Sequence, residues 1–440
     1  MAPHTPPEIL LSIFEEVFAL NAHEGKAGNS SRLDIFRNLA SVHRAWADPA
    51  RAVFWYEVEL TEIKKLVSFS SELDVPTARR NCIRKFSFCI SSDVKYPQEY
   101  DDTYLYSSIL NIIQKIPTHL QVYRMGLSRD TWGTQSPLIY RCWARACNAA
   151  ERIFQVNSLQ IDYRPLACEI LRIYGNVRGI TELRLRVSTL DRPTTFTRPF
   201  VDMHLKSLSI DIDWTDCMVQ ESAHQLGSTC LALADILRPA CTNLQSLTLT
   251  FWYRTREKPR VYTNVFRHLQ ALGHETITRL SLINQQVKTT IDPPFLDELA
   301  TESGAISRSP NIRELVLREF GVSSAALHQL GCVELRELDV VVIEQGLRNG
   351  AASRDALLEG LQSTQMAKLE RLRVEFGDLG ALDREDDWVG TEDAWAPLEE
   401  FCTAKGIACE IIHPPKHVEE IYRYLSMDDE MDIWKVLYVL

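Results

Sequence analysis

The sequence predicts an α/β fold: a small N-terminal helical domain followed by an irregular solenoid, a horseshoe of about ten parallel strands. Two observations carry this. One short pattern, apolar-x-x-apolar-x-apolar, recurs ten times after residue 83, its first positions spaced 23 to 39 residues apart. Helical stretches fall between the recurrences, and strand, crossover, parallel strand at that spacing is a solenoid period. An ordinary α/β domain with leucine-rich strands is the plainer alternative. The expected boundaries are residues 1–60 for the helices, 61–412 for the solenoid and 413–440 for a cap or tail.

The helical segment comes first. Thr5 is a good N-cap, Pro6 falls at the first helical position and Glu8 lies three residues after Thr5, so a helix starts there. Ile9, Leu10, Ile13, Phe14 and Val17 then form one apolar stripe. A polar insert, Asn21–Ser31, reads as a loop. A second helix is expected over Arg32–His43, with Leu33, Phe36, Leu39 and Ala40 on one side. Asp48 before Pro49 repeats the cap-plus-proline signal for a third helix reaching Trp55, after which Glu57–Leu60 turns extended.

The recurring pattern occupies Ile83/Phe86/Phe88, Leu120/Tyr123/Met125, Val156/Leu159/Ile161, Ile180/Leu183/Leu185 and Leu205/Leu208/Ile210. It continues at Leu244/Leu247/Leu249, Ile277/Leu280/Leu282, Ile312/Leu315/Leu317, Leu335/Leu338/Val340 and Leu369/Leu372/Val374. The last two apolar positions of each are two apart and face the same way from a strand; the first sits in the turn before it. Helices are expected over Thr103–Ile116, Arg141–Ile153, Glu221–Leu237, Ser323–Leu330, Arg354–Leu361 and Asp393–Ala404. Ile407–Ile412 reads as a last strand, which His413-Pro414-Pro415 ends. Two short amphipathic pieces follow, Val418–Leu425 and Glu430–Leu440. A cap over the open core edge and a peptide-like tail that docks elsewhere both fit them.

The order of features in the first 60 residues resembles an F-box. The matching residues are Pro6, Glu8, Ile9, Leu10, Ile13 and Phe14, then Leu39, Val42, Arg44 and Trp46, and finally Phe54, Trp55, Val58 and Leu60. Two positions depart from the family pattern: the insert Asn21–Ser31 is long, and Thr5 or His4 stands where a leucine usually precedes the proline. The downstream strands resemble leucine-rich repeats, with irregular spacing and with the Asn or Cys that usually follows the strand mostly missing. Together the halves resemble the substrate receptors of SCF ubiquitin ligases, fungal-type F-box/LRR proteins among them. The resemblance implies that Pro6, Ile9, Leu10, Ile13, Phe14, Leu39, Trp46 and Trp55 dock on a Skp-type adaptor, and through it on a cullin–RING ligase. It implies a protein client on the repeats and no cofactor. A non-enzymatic scaffold, with the helices only capping the solenoid, is the competing reading.

The client face is read from strand parity. Residues between and after the inward leucines point away from the core. The candidates are Arg186, Asp211, Thr250, Trp252, Arg318, Asp339, Arg373 and Glu375, beside Arg184, Ser209, Thr248, Val316 and Val341. Charges of both signs with one Trp suit a protein partner.

Composition narrows the function classes. Apolar content of 45% and charged content of 24% are those of a folded globular protein. A net charge of −11 disfavours a nucleic-acid surface. No run of about 18 apolar residues suggests a membrane span, and no basic-then-apolar leader is evident, so a cytoplasmic or nuclear protein is expected. The eleven cysteines are scattered without zinc spacing, and read as reduced core thiols. No GxSxG, P-loop, GxGxxG-helix or HExxH motif is present, so catalysis is not expected. The acidic run Asp383–Asp387 with Trp388 lacks the glycine and ligand spacing of a calcium loop. Pro414 and Pro415 keep His413 and His417 off one helix face. The basic cluster Arg254–Arg260 reads as a solvated loop or a contact for an acidic partner.

Overall fold

The computed structural model describes residues 6–23, 29–74, 81–90, 102–127, 142–143, 145–146, 149–150, 152–162, 177–188, 203–213, 220–253, 269, 272, 275–286, 311–318, 335–342, 357–362, 368–376 and 392–412. Outside them lie the Thr5 cap, the helix expected over Ser323–Leu330, the basic and acidic clusters, the two late histidines and everything from 413 on. The fold is mixed α/β, with an open parallel sheet of thirteen strands. The chain divides into two compact units, Met1–Asp211 with Ala232–Asn243, and Ile212–Leu231 with Leu244–Leu440. Among the described residues, no helix is long and apolar enough to cross a membrane.

The first unit opens with helices α1 (Pro7–His23), α2 (Asn29–Val42) and α3 (Ala47–Phe54), the last preceded by a 3-10 turn over Arg44–Trp46. The Pro6 carbonyl accepts from Ile9 N (3.1 Å) and Leu10 N (3.2 Å), so the first turn closes on Pro6. Two expectations shift. The Asn21–Ser31 loop is helical at both ends, since α1 runs through His23 and α2 begins at Asn29. Ala22 extends a helix at no cost and Asn and Ser suit a helix start, so the polar composition misled. Asp48 sits inside the first turn of α3, bonded to Arg51 at 2.6 Å, rather than at its cap.

Strand β1 (Glu57–Leu60) already belongs to the sheet, pairing in parallel with β2 (Lys85–Ile90). The helical head therefore ends before Leu60. Then come α4 (Ile63–Glu72), α5 (Asp102–Lys115), β3 (His119–Leu127), β4 (Phe154–Asp162), the two-residue β5 (Val177–Arg178), β6 (Glu182–Ser188) and β7 (Ser207–Asp213). Asn111 of α5 donates to the Ser70 carbonyl (2.9 Å) and to Asp74 (3.0 Å), and Lys115 also binds Asp74, fastening α5 to α4. The second unit carries β8 (Ser246–Tyr253), β9 (Arg279–Gln286), β10 (Glu314–Arg318), β11 (Glu337–Val342), β12 (Arg371–Phe376) and β13 (Ala408–Ile412). Helix α6 (Gln220–Leu237) precedes β8, and α7 (Glu392–Lys405) precedes β13.

A strand stands at each of the ten predicted positions, and the first apolar residue of every pattern is buried, from Ile83 and Leu120 through to Leu335 and Leu369. One backbone motif accompanies it. The residue after that first apolar position turns its carbonyl toward the next strand and takes up to two N–H bonds. In the first unit, Arg84 O accepts from Gln121 N (2.7 Å) and Val122 N (3.3 Å), and Thr181 O from Lys206 N and Ser207 N. In the second, Gln245 O accepts from Thr278 N and Arg279 N, Thr278 O from Arg313 N and Glu314 N, and Arg313 O from Arg336 N and Glu337 N. Arg336 O then accepts from Glu370 N and Arg371 N. The same register thus sets each of these pairs, and a one-residue slip would turn their leucine rows out of the core.

Aromatic rings run from the helical head into the sheet within the first unit. Phe36 meets Phe54 (5.1 Å between centroids), Phe54 meets Trp55 (6.2 Å), and Trp55 stacks on Phe69 of α4 (6.0 Å). Phe69 meets Phe86 of β2 (6.2 Å), which stacks on Tyr123 (5.9 Å) and Trp143 (6.2 Å).

Candidate functional site: two protein-docking surfaces

The stripe on α1 divides between core and solvent. Leu10 (2% exposed) and Phe14 are buried with Ala50 and Val53, and Leu11, Ile13, Ile35, Phe36, Leu39, Trp46 and Phe54 pack against them. Leu10 and Phe14, expected at the adaptor contact, are instead core. A three-helix head this small needs both side chains to close on α3. Ile13 and Leu39 are half-buried against the same cluster, and Trp46 lies on Phe14 with centroids 5.4 Å apart. Trp55 is half-buried between Phe54 and Phe69. Of the eight expected contact residues, Pro6 and Ile9 (52% exposed) face solvent. Val42 at the end of α2, 61% exposed, joins them as a large apolar side chain in water. The corner after Val42 is built by His43, whose Nδ1 accepts from Ala45 N (3.1 Å) while its carbonyl accepts from Trp46 N (2.9 Å).

The face opposite the leucine rows carries the polar candidates. In the second unit the register lines them up in rows. Thr248, Ser281, Val316, Asp339, Arg373 and Glu410 form one, and Ser246, Arg279, Glu314, Glu337 and Arg371 form another. Opposite charges meet across strands: Arg279–Glu314 (3.5 Å), Asp339–Arg373 (3.6 Å), Arg371–Glu410 (3.3 Å) and Arg373–Glu410 (3.8 Å). Each partly exposed pair adds little stability, but a ladder of alternating sign orients its side chains. Arg318 is exposed at the end of β10. Trp252 pairs with Gln285 in the backbone register, and Glu375 with Val341 and Ile412; their side chains lie outside the described set. Glu410 was missed because ACEII reads as an inward strand. Parity counted from Cys409 and Ile411 would have placed it beside Arg373.

In the first unit, Arg184 reaches across to Asp211, its Nε at 3.2 Å and Nη2 at 2.8 Å from Oδ2. Arg184 is 44% exposed at the side chain and Asp211 only 6%, with Oδ1 buried and lacking a hydrogen-bond partner. Arg186 and Asp211, expected as client contacts, are buried, and so is Thr250 on β8. All three alternate as predicted. Parallel strands are commonly covered on both faces, so parity does not guarantee exposure. Arg184→Ala removes the cation from a buried carboxylate, and we expect it to lower the stability of this unit by about 2 kcal/mol. Asp211→Asn in the same chain should recover part of the loss. Urea titration followed by hydrogen exchange at β6 checks both; equal stability of Arg184→Ala and the parent would mean that the pair carries no weight.

Among the described residues, no group of three or more His, Cys, Asp or Glu is placed to hold a metal ion. No protein-family model matches the sequence, and no curated protein matches it.

Proposed function

We propose that the chain is the substrate-recognition subunit of an SCF-type ubiquitin ligase, an F-box head followed by degenerate leucine-rich repeats. Helices α1–α3 dock on a Skp-type adaptor, and the face opposite the leucine rows holds a protein client. The observation that carries the reading is the pairing of a compact three-helix head bearing apolar side chains in solvent with one hydrogen-bond register repeated from strand to strand. Ile9 and Val42 are large apolar side chains more than half exposed, which a partner docked on the head would cover. The receptor does no bond chemistry; it raises the local concentration of client lysines near a charged ubiquitin carrier.

A scaffold whose helices only cap the sheet is the second reading, favoured by the rings that join Phe54 and Trp55 to Phe69. Co-expression with a Skp-type adaptor separates the two. The parent chain should co-elute with the adaptor on size exclusion. Ile9→Asp combined with Val42→Asp should lose it, with helical circular dichroism and melting unchanged. A parent chain that never co-elutes leaves the scaffold reading standing.

A further inference from the structure

The sheet reaches its last described strand at β13, and that strand is poorly covered. Among the described residues, β13 pairs with β12 alone. Leu338, Leu372 and Cys409 share one leucine row, and Val374 and Ile411 share the next. Leu338 is 1% exposed and Leu372 and Val374 are fully buried, whereas Cys409 and Ile411 are only half-buried. The polar row alternates Asp339, Arg373, Glu410, and the Glu410 side chain is still 52% exposed. A next strand would set apolar side chains beside Cys409 and Ile411 and a cation beside Glu410. An open edge is a template for pairing, and the end of a solenoid needs a cover.

Residues 413–440, outside the described set, contain a segment of that composition. Met431, Trp434 and Val436 repeat the apolar-x-x-apolar-x-apolar pattern once more, with Lys435 between the last two. Trp434 follows Cys409 by 25 residues, the interval that separates Leu183 from Leu208. Twenty residues, 413–432, are available to cross over from Ile412, and a parallel connection needs about a dozen. Tyr422-Arg423-Tyr424 has a similar composition but fails on both counts. Glu419 stands at its first apolar position, and only eight residues, 413–420, separate Ile421 from Ile412. We propose that residues 433–437 add to the β13 edge as a parallel fourteenth strand, with Trp434 beside Cys409, Lys435 beside Glu410 and Val436 beside Ile411. The chain thereby closes its own sheet edge. The charge alternation passes from Glu410 to Lys435, and Trp434 and Val436 lengthen the two leucine rows. A strand from another chain reaches this edge only by displacing residues 433–437.

Hydrogen exchange and cross-linking on the full-length chain test this. In the parent, the amides of residues 433–437 and of β13 should be protected. Trp434→Asp sets a carboxylate in a leucine row, and it should release both segments while β8–β10 keep their protection. For the register, Glu410→Cys with Lys435→Cys places two thiols at neighbouring positions of adjacent strands, within reach of a disulfide. Mild oxidation should link them within one chain, as mapped by peptide mass. Glu410→Cys with Arg423→Cys should not link. Unprotected amides at 433–437 in the parent overturn the proposal, as does unchanged protection in Trp434→Asp. It is equally overturned if the Glu410→Cys, Lys435→Cys pair stays unlinked, links two chains together or links no better than the Arg423→Cys control.

Discussion

Phe86→Ala should lower the stability of the first unit by about 4 kcal/mol, the range for deleting a fully buried phenylalanine. Phe86 is wholly buried on β2, where it meets Phe69, Tyr123 and Trp143. The truncation removes apolar burial and also leaves a void between rigid rings, which close on it poorly. Each lost ring contact adds about 0.5–1.5 kcal/mol to the burial term. Phe86→Leu, which keeps most of the volume, should cost less than half as much. Trp143 is the reporter: its emission should move to longer wavelength as water enters. A loss below about 1 kcal/mol would mean that these rings do not pack as described.

Leu10→Asp should be the most damaging change in the helical head. It sets a carboxylate among Phe14, Ala50 and Val53, in a cluster where Leu10 is 2% exposed. An unpaired buried charge costs several kcal/mol or forces protonation, and three short helices have little stability in reserve. Amide exchange across α1–α3 should lose its protection, while the β8–β13 amides keep theirs. Ile9→Asp, one residue earlier and half in solvent, should change stability by less than about 1 kcal/mol. The contrast decides how adaptor-binding data are read. Loss of the adaptor in Leu10→Asp reports an unfolded head, whereas loss in Ile9→Asp reports a surface. Protected α1–α3 amides in Leu10→Asp would contradict the core assignment.

The strands were legible because their signal is local. A first leucine, two variable residues and two alternating leucines specify a turn and a strand without reference to the rest of the chain. The short final strand was legible for the same reason, as ACEII alternates. Val177–Arg178 was not, because two residues carry no period. The helical head was legible as a stripe but not as a surface. Ile9, Leu10, Ile13 and Phe14 fall on one broad face, and which of them α3 covers depends on how the helices cross. The polar face had the same weakness. Alternation placed Asp211 and Thr250 on the right side of the sheet, yet their exposure is set by side chains arriving from other strands, which are distant in sequence.

The rings from Phe54 to Tyr123 also bear on mechanics. Trp55 stands two residues before the chain enters the sheet, the usual place for a swivel. Here its indole stacks on Phe69, Phe69 bears on Phe86, and Phe86 on Tyr123. Tilting the three helices against β1–β3 would slide several aromatic faces past one another at once, in a core packed as densely as an organic crystal. The joint therefore behaves as a stiff bracket. Force applied to α1–α3 is carried into β1–β3, not absorbed as a bend at residue 56.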